Sequence, residues 1–226
     1  METPLLHGLG LHKAFGQNQA LAGAGLTLEP GEIVAVMGPS GSGKSTLLHC
    51  LSGIIRPDEG RVRFRGRDLA SMSDSERSAL RRTEFGFVFQ FGQLVPELTC
   101  LENVALPLRL SGMRRRPAER IARGWLDRLT VGDIGGSTPG QVSGGQSQRV
   151  AMARALVTEP SVIFADEPTG ALDTLSGELV MRLLSETAKQ TDAAVVLVTH
   201  EPRVAAYSDR EVIVRDGRTR EPAVTR

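Results

Sequence analysis

Hydrophobic and polar positions along the chain follow two patterns, and these patterns predict strands and helices in turn. The segments "LTLEPG" and "RVRFRG" alternate apolar and polar residues and end in glycine turns, which is typical of half-buried strands. The runs "EIVAVMG", "FGFVFQ", "VIFAD" and "AAVVLVTH" are almost continuously apolar, which indicates strands covered on both faces. "REVIVRDG" predicts a later and more polar strand.

Helical patterns separate these strands. In "TLLHCLSGII" the apolar residues recur at helical spacing until "RPDEG" supplies a proline and a glycine. "SGGQSQRVAMARALV" and "SGELVMRLLSETAKQ" predict further helices, and residues 91–139 are arginine-rich and mostly helical in pattern. The alternation indicates an α/β fold with a largely parallel sheet. We predict a single domain over residues 1–226, with a core of residues 1–90 and 140–226 and a helical subdomain at 91–139.

Composition excludes several classes of protein. The 226 residues are 40% hydrophobic and 23% charged, which is typical of a globular chain. The net charge of +1 argues against a dedicated nucleic-acid binder, and we expect no nucleic-acid partner. Cys50 and Cys100 form no CxxC motif, so we expect buried, reduced thiols.

Two further expectations concern membranes and the end of the chain. No run approaches the ~18 apolar residues of a membrane span, and "METPLLHGLGLHKAF" lacks the features of a signal peptide. Any membrane role is therefore expected to come through a partner. We expect the tail after Gly217, "RTREPAVTR", to be frayed.

The segment "GPSGSGKS", from Gly38 to Ser45, fits the pattern G-x-x-x-x-G-K-[ST] between a predicted strand and a predicted helix. Its glycines let backbone N–H groups converge on phosphate oxygens, and the helix N-terminus adds partial positive charge. Lys44 is expected to reach the β- and γ-phosphates, and the Ser45 hydroxyl to bind Mg²⁺. The predicted nucleotide-binding residues of this loop are Gly38, Ser40, Gly41, Ser42, Gly43, Lys44, Ser45 and Thr46. The loop alone fits a small-molecule kinase, a GTPase, a helicase or a transporter ATPase.

Two adjacent carboxylates end the strand "VIFAD" and begin the turn that follows it. An acid at the carboxyl end of a parallel strand lies near a phosphate loop, so Asp166 is expected to hold Mg²⁺ directly or through water. Adjacent residues on a strand point in different directions, so Glu167 need not share the metal. It can instead act as a general base that polarises the attacking water.

A second glycine loop, "VSGGQ" from Val142 to Gln146, also opens onto a predicted helix N-terminus and can hold an anion. By itself this motif is a weak signal, since most such turns only cap a helix. Together with the first loop it becomes specific.

The motifs "GPSGSGKST", "VSGGQ", "VIFADEP" and "VTH", at these spacings, resemble the nucleotide-binding subunit of an ABC transporter over almost the whole chain. The resemblance implies a P-loop NTPase core with an N-terminal antiparallel β region and an inserted helical subdomain. It also implies that two subunits pair head to tail as a homodimer. Each ATP would then bind between the first loop of one subunit and Ser143, Gly144, Gly145 and Gln146 of the other.

The resemblance assigns further residues. Gln90, at the end of "FGFVFQ", matches a glutamine that binds Mg²⁺ and water, which gives Ser45, Gln90 and Asp166 as metal ligands. His200 matches a histidine that contacts the γ-phosphate, so the catalytic set is Glu167, His200 and Gln90. Asp173 matches a loop that crosses to the partner, and Phe15 lies where the family stacks an aromatic ring on adenine. The resemblance therefore implies ATP hydrolysis with Mg²⁺.

The segment "FGQLVPELTCLENVALPLRLSG" resembles one branch of the family, which serves lipoprotein-release, macrolide-export, peptide-resistance and haem-export systems. This resemblance implies a separate transmembrane permease, a place on the cytoplasmic face of the membrane, and a lipophilic or peptide-like substrate for export or extraction. The apolar loop residues Leu94, Val95, Pro96 and Leu98 are expected to receive a coupling helix of the permease. Packing within the helical subdomain is the alternative for these residues.

Two other functions fit parts of the sequence. The complex could transmit force to extracytoplasmic machinery without moving a substrate, because substrate contacts would lie on the permease. A soluble ABC ATPase of repair or translation is a further alternative, although those proteins carry coiled coils, zinc modules or two cassettes. A chain with one cassette and a short helical insertion favours a transporter.

Overall fold

The computed structural model describes residues 4–220, which form two compact units. The first unit comprises residues 4–81 and 194–220, and the second comprises residues 82–193. Strands and helices alternate along most of the chain, as the hydrophobic pattern predicts.

The chain begins with β1 (Leu6–Phe15), β2 (Asn18–Leu28), β3 (Ile33–Met37), α1 (Lys44–Leu51), β4 (Glu59–Phe64), β5 (Arg67–Asp68) and α2 (Asp74–Thr83), which ends across the boundary between the units. The second unit contains β6 (Phe85–Phe89), α3 (Cys100–Leu110), α4 (Arg115–Arg128), α5 (Gly144–Leu156), β7 (Val162–Asp166) and α6 (Thr174–Thr191). The chain returns to the first unit with β8 (Ala194–Val198), α7 (Pro202–Ala205), β9 (Arg210–Arg215) and β10 (Arg218–Arg220).

The first unit contains two kinds of sheet. Four strands form an antiparallel sheet in the order β2-β1-β4-β5. In the other sheet β3 lies between β8 and β9 and runs parallel to both, and β10 pairs antiparallel with β9. All the side chains of β8 are buried, as are those of β3 up to Val36, which explains their continuous apolar sequences. The parallel pairing of β3 with β8 brings the carboxyl ends of both strands to one edge.

The second unit holds a parallel pair of strands and the longer helices. β6 pairs with β7 in the register Phe85↔Val162 to Phe89↔Asp166, and the rings of Phe87 and Phe164 stack with centroids 5.6 Å apart. The helix α4 turns its small and apolar face inward, with Trp125 only 4% exposed. The apolar stripe of this arginine-rich helix is therefore what fixes it in the unit.

Two sequence expectations need correction, and one helix was missed. The helix α1 ends at Leu51, because Gly53 adopts a left-handed conformation (φ 65°), so Ile54 and Ile55 lie outside it although their spacing is helical. The helix α2 was not predicted, since its residues are polar and none is fully buried. Residues 218–220 of the supposedly frayed tail form β10, whereas 221–226 lie outside the described residues.

Both cysteines are buried and free, as expected. Burial raises the pKa of the Cys50 thiol to about 11, and it also raises the pKa of Cys100. Across residues 4–220 no helix is both long enough and apolar enough to span a membrane.

Asn103 fixes the irregular segment that precedes α3. Its side chain is fully buried; Oδ1 accepts a hydrogen bond from the Val95 N–H (2.8 Å), and Nδ2 donates to the carbonyls of Val95 (3.0 Å), Leu98 (3.2 Å) and Thr99 (3.1 Å). One amide therefore satisfies the Val95 N–H and the Leu98 carbonyl, and it adds a second hydrogen bond to the Val95 and Thr99 carbonyls, which also accept from backbone N–H groups.

We predict that Asn103→Leu lowers the free energy of unfolding by about 2–3 kcal/mol, because buried backbone groups lose their partners while the side-chain volume is kept. Urea unfolding followed by circular dichroism measures the change. The control Asn18→Ala, at an exposed position, should cost less than about 0.5 kcal/mol. Equal losses for the two variants would contradict the role assigned to Asn103.

Candidate functional site

The predicted phosphate loop lies between β3 and α1 in the first unit, with the backbone conformation that such a loop requires. Gly38, Gly41 and Gly43 all have positive φ values (150°, 76° and 105°). A side chain at Gly38 or Gly43 would collide with the carbonyl oxygens of Val214 or Ala20 respectively. Glycine is therefore required at these two positions both for conformation and for space.

Polar groups of this loop fit an anionic ligand. Gly43 caps α1 without a side-chain hydrogen bond, and the first turn of the helix contains no acid, so its N–H groups remain directed toward the loop. The largely buried Lys44 donates from Nζ to the carbonyls of Gly38 (2.8 Å) and Pro39 (2.9 Å), which places the ammonium inside the loop. The buried Ser42 Oγ has no hydrogen-bond partner among residues 4–220. This donor set suits phosphate oxygens.

His200 lies on the same side of the first unit as the phosphate loop. The strands β3 and β8 are parallel neighbours, with Val36 opposite Val198, and the Thr199 N–H donates to the Val36 carbonyl (3.1 Å). His200 follows Thr199 and is exposed, whereas Gly38 lies two residues beyond Val36. The structure thus places the predicted histidine and the loop at the carboxyl ends of adjacent strands.

Phe15 ends β1 at the tip of the first hairpin and is 51% exposed. Asp58 fixes this strand end, since its carboxylate accepts from Lys13 Nζ (2.7 Å) and from the Ala14 N–H (2.8 Å). Lys13 Nζ also lies 5.7 Å from the centroid of the Phe15 ring. The ring is held on an ordered edge with a face that a planar ligand can reach, which is consistent with the predicted adenine contact.

In the second unit the pairing of β6 with β7 brings together Gln90, Asp166 and Glu167. Phe89 is the register partner of Asp166, so Gln90 and Glu167 leave adjacent strands at the same edge. A side chain at Gly170 would lie only 2.8 Å from Gln90 Nε2, which shows that the glutamine packs against the turn that follows Glu167. Three of the predicted site residues are therefore neighbours.

Glu167 adopts a left-handed backbone conformation (φ 47°), which is uncommon for a residue with a side chain. The Gly170 N–H donates to the Glu167 carbonyl (3.0 Å) and closes the turn. This conformation turns the chain out of the strand directly after Asp166, so that the two carboxylates need not point the same way. Conformational strain of this kind is concentrated at functional sites.

The second glycine loop caps α5 in a reciprocal arrangement. Ser143 Oγ accepts from the Gln146 N–H (3.2 Å), and the Ser143 N–H donates to Gln146 Oε1 (2.9 Å). The N–H groups of Gly144 and Gly145 belong to the first turn of the helix, where they have no intrahelical acceptor. Ser143 and Gly144 are exposed, so this helix start can receive an anion from outside the chain.

The predicted crossing loop lies beside the second glycine loop. A side chain on Gly145 would come within 3.1 Å of Ser176 Oγ in the first turn of α6. Asp173 caps that helix, accepting from the Ser176 N–H (3.1 Å). A hydrogen bond from the Ser176 side chain and, to a smaller extent, one from the Ser176 backbone hold the pKa of Asp173 below its usual value. The carboxylate of Asp173 is therefore ionised at neutral pH.

Sequence reasoning did not identify Thr169 as a candidate. Its Oγ1 is buried and has no hydrogen-bond partner among the described residues, and it lies in the turn between Glu167 and Gly170. A polar atom left without a partner in such a place is a candidate ligand contact. The motif "EPTG" contains this threonine, but only its burial distinguishes it from an ordinary turn residue.

Comparisons with known proteins agree with this geometry. The model of the family described as "ABC transporter" matches residues 21–170. Lipoprotein-releasing system ATP-binding protein LolD 2 of Caulobacter vibrioides is 43% identical, over 96% of this chain and 97% of its own length. Macrolide export ATP-binding/permease protein MacB of Marinobacter nauticus is 44% identical, over 95% of this chain. The chain spans only 34% of that longer relative.

A solved structure shows the same fold. It is a dimeric ATP-binding cassette in a post-hydrolysis state with ADP and Pi bound, and it is 37% identical to this chain with a TM-score of 0.87. The match covers 96% of this chain and 98% of that one. The predicted fold class, an α/β cassette with parallel and antiparallel sheets, is thereby confirmed. The chain belongs to the ABC transporter family, as an ATP-hydrolysing subunit that binds ATP with Mg²⁺.

Proposed function

We propose that two copies of this chain pair head to tail and enclose ATP between the phosphate loop of one copy and Ser143 of the other. The observation that carries the proposal is the presence of two loops suited to anions, one at the start of α1 and one at the start of α5. The second loop exposes Ser143 and the adjacent glycine, as a contact to another molecule requires. The dimeric state of the similar solved cassette supports the same arrangement.

The chemical roles follow from the donor and acceptor groups of the chain. Lys44 and the N–H groups of its loop neutralise phosphate charge, and Ser143, Gly144 and Gly145 donate from the partner copy. We assign Ser45, Gln90 and Asp166 as the residues that would hold Mg²⁺, which would neutralise further phosphate charge. Glu167 accepts the proton of the attacking water, and His200 and Gln90 orient the reacting groups. Phe15 stacks on the adenine ring, and Asp173 contacts the partner copy.

The chain would couple ATP hydrolysis to a separate transmembrane permease. Binding to this permease would place the chain peripherally on the cytoplasmic face of the membrane. The surface proposed for the permease, here called the docking loop, consists of Leu94, Val95, Pro96 and Leu98. Asn103 holds its backbone at Val95 and Leu98, so the loop is ordered, and Pro96 is exposed. An ordered apolar loop supports an interface with another protein.

The names of the relatives support a role in export or in extraction from the membrane. They describe a lipoprotein-releasing system, a macrolide exporter and a pyoverdine exporter. We propose a lipophilic or peptide-like substrate for the complex that contains this chain. Force transmission to extracytoplasmic machinery is the second candidate, because the same ATPase could drive a permease that moves no substrate. The domain content of the adjacent permease gene distinguishes the two, and co-purification with a membrane protein excludes repair or translation.

We predict that Glu167→Gln lowers ATP turnover on the order of 10²-fold or more, because the general base is lost, while ATP binding is retained. With ATP and Mg²⁺ the variant should accumulate as a dimer in size-exclusion chromatography coupled to light scattering. Glu186→Gln, at an exposed position on α6, is the matched control and should behave as the parent. A Glu167→Gln variant that stays monomeric with ATP and permease present contradicts the proposal.

For the docking loop, we predict that Leu94→Asp prevents co-purification with the membrane partner, because a carboxylate would be buried in an apolar contact. ATP binding, measured on the isolated chain, should remain at the parental level. Leu9→Asp, at a position 63% exposed in the antiparallel sheet, is the control and should co-purify normally. Retention of the partner by Leu94→Asp would show that these residues only pack within the chain.

A further inference from the structure

The helix α5 makes direct hydrogen bonds to the segment that carries Gln90. Gln148 Nε2 donates to the carbonyl of Phe89 (2.9 Å), immediately before the glutamine. Arg154 donates from Nη1 to the Gln93 carbonyl (2.7 Å) and from Nη2 to the Gly92 carbonyl (2.7 Å), just after it. One helix thus holds the backbone on both sides of Gln90.

The segment held by these side chains has an uncommon conformation. Gly92 and Gln93 both have left-handed backbone angles (φ 67° and 46°), and the conformation of Gln93 is uncommon for a residue with a side chain. Gly92 lies so close to α5 that an added side chain would be 3.4 Å from Ala151 Cβ. Because such a conformation persists only where surrounding contacts fix it, the fork of Arg154 is well placed to hold it.

The charge of Arg154 indicates a specific use. Burial lowers the pKa of its guanidinium, and among the described residues no carboxylate forms an ion pair with it. Both of its bonds go to main-chain carbonyls, which are charge-assisted contacts with fixed geometry. An apolar side chain could fill the same space without the desolvation cost of a cation. Holding the two carbonyls is therefore the role that explains why position 154 carries an arginine.

The same helix begins at Gly144 and is capped by Ser143 of the second glycine loop. From Ser143 to Arg154 the helix extends about 16 Å at the usual rise per residue. Gln148 is 2% exposed and lies between these two points, so the bonded part of α5 is also a packed part of the unit. A displacement of the glycine loop would therefore be passed to the backbone around Gln90 through a rigid element.

We infer that Gln148 and Arg154 are positioning residues for Gln90, and that α5 couples the orientation of Gln90 to contact at Ser143. The inference rests on the proposed function, in which Gln90 binds Mg²⁺ at one nucleotide while Ser143 binds the other. In the paired copies, occupation of one ATP site would then set the metal-binding group of the second. Neither residue touches the nucleotide itself.

The test uses the full-length chain and compares Arg154→Gln with Arg149→Gln. Arg149 is the matched control, because it lies on the same helix and also donates to backbone carbonyls, at Gly145 (3.4 Å), Leu129 (3.3 Å) and Thr130 (3.1 Å), none of which lies in the Gln90 segment. ATP hydrolysis is measured as a function of Mg²⁺ at saturating ATP, and thermal unfolding reports any loss of fold.

Arg154→Gln is expected to raise the Mg²⁺ concentration for half-maximal hydrolysis about tenfold, the usual effect of losing a group that orients a metal ligand. Arg149→Gln should keep the parental Mg²⁺ dependence even if its unfolding temperature falls as much as that of Arg154→Gln. Arg154→Lys should fall between Arg154→Gln and the parent, because lysine keeps the positive charge but lacks the planar pair of nitrogens that meets the two carbonyls in fixed geometry. Identical Mg²⁺ curves for Arg154→Gln and Arg149→Gln would overturn the inference.

The variant Gln90→Ala separates failure of the inference from failure of the proposed function. If Gln90→Ala shifts the Mg²⁺ dependence and Arg154→Gln does not, Gln90 has its proposed role but Arg154 does not position it. If Gln90→Ala leaves the Mg²⁺ dependence unchanged, the metal role of Gln90 is wrong, and the positioning inference falls with it.

Discussion

The negative charge of a nucleoside triphosphate is the constraint on which the rest of this structure depends. The phosphate loop offers main-chain N–H groups, which can approach a phosphate closely only where side chains are small or absent. Gly38 and Gly43 fulfil this condition beside α1, where neighbouring carbonyls leave no room for a Cβ atom. Lys44 adds a positive charge held within the same loop. The apolar strand β3 and the helix α1 then serve as rigid supports for a short polar segment.

The residues of the second unit that we propose as catalytic depend on strand pairing and on local strain. The register of β6 and β7 sets Phe89 opposite Asp166, and the residues that follow both strands leave the sheet edge side by side. Glu167, which follows β7, and Gln93, which lies in the segment after β6, have left-handed backbone angles. Such conformations are retained where hydrogen bonds over-determine them, as the Gly170 N–H does for Glu167 and the Arg154 fork does for Gln93.

Much of this arrangement could be predicted from the sequence, because its signals are local. "GPSGSGKS" fixes a strand–loop–helix unit, and "VIFADE" places two acids at a strand end. The contact of Gln90 with Gly170 depends on the pairing of β6 with β7, whose paired residues are 77 positions apart in the sequence. No local pattern encodes this pairing. The hydrogen bonds of Arg154 to Gly92 and Gln93 are equally long-range. The helix α2 was missed because it buries no apolar face, and α1 was predicted too long because Gly53 stops it.

The central claim is that a complete ATP site needs Lys44 from one copy and Ser143 from the other. Mixing full-length Lys44→Ala and Ser143→Arg chains tests it directly, because only a mixed pair contains one site with both groups intact. The account predicts that each variant alone has almost no ATPase activity and that the mixture, assembled with its permease, regains hydrolysis. A mixture no more active than the two variants measured separately would contradict the account.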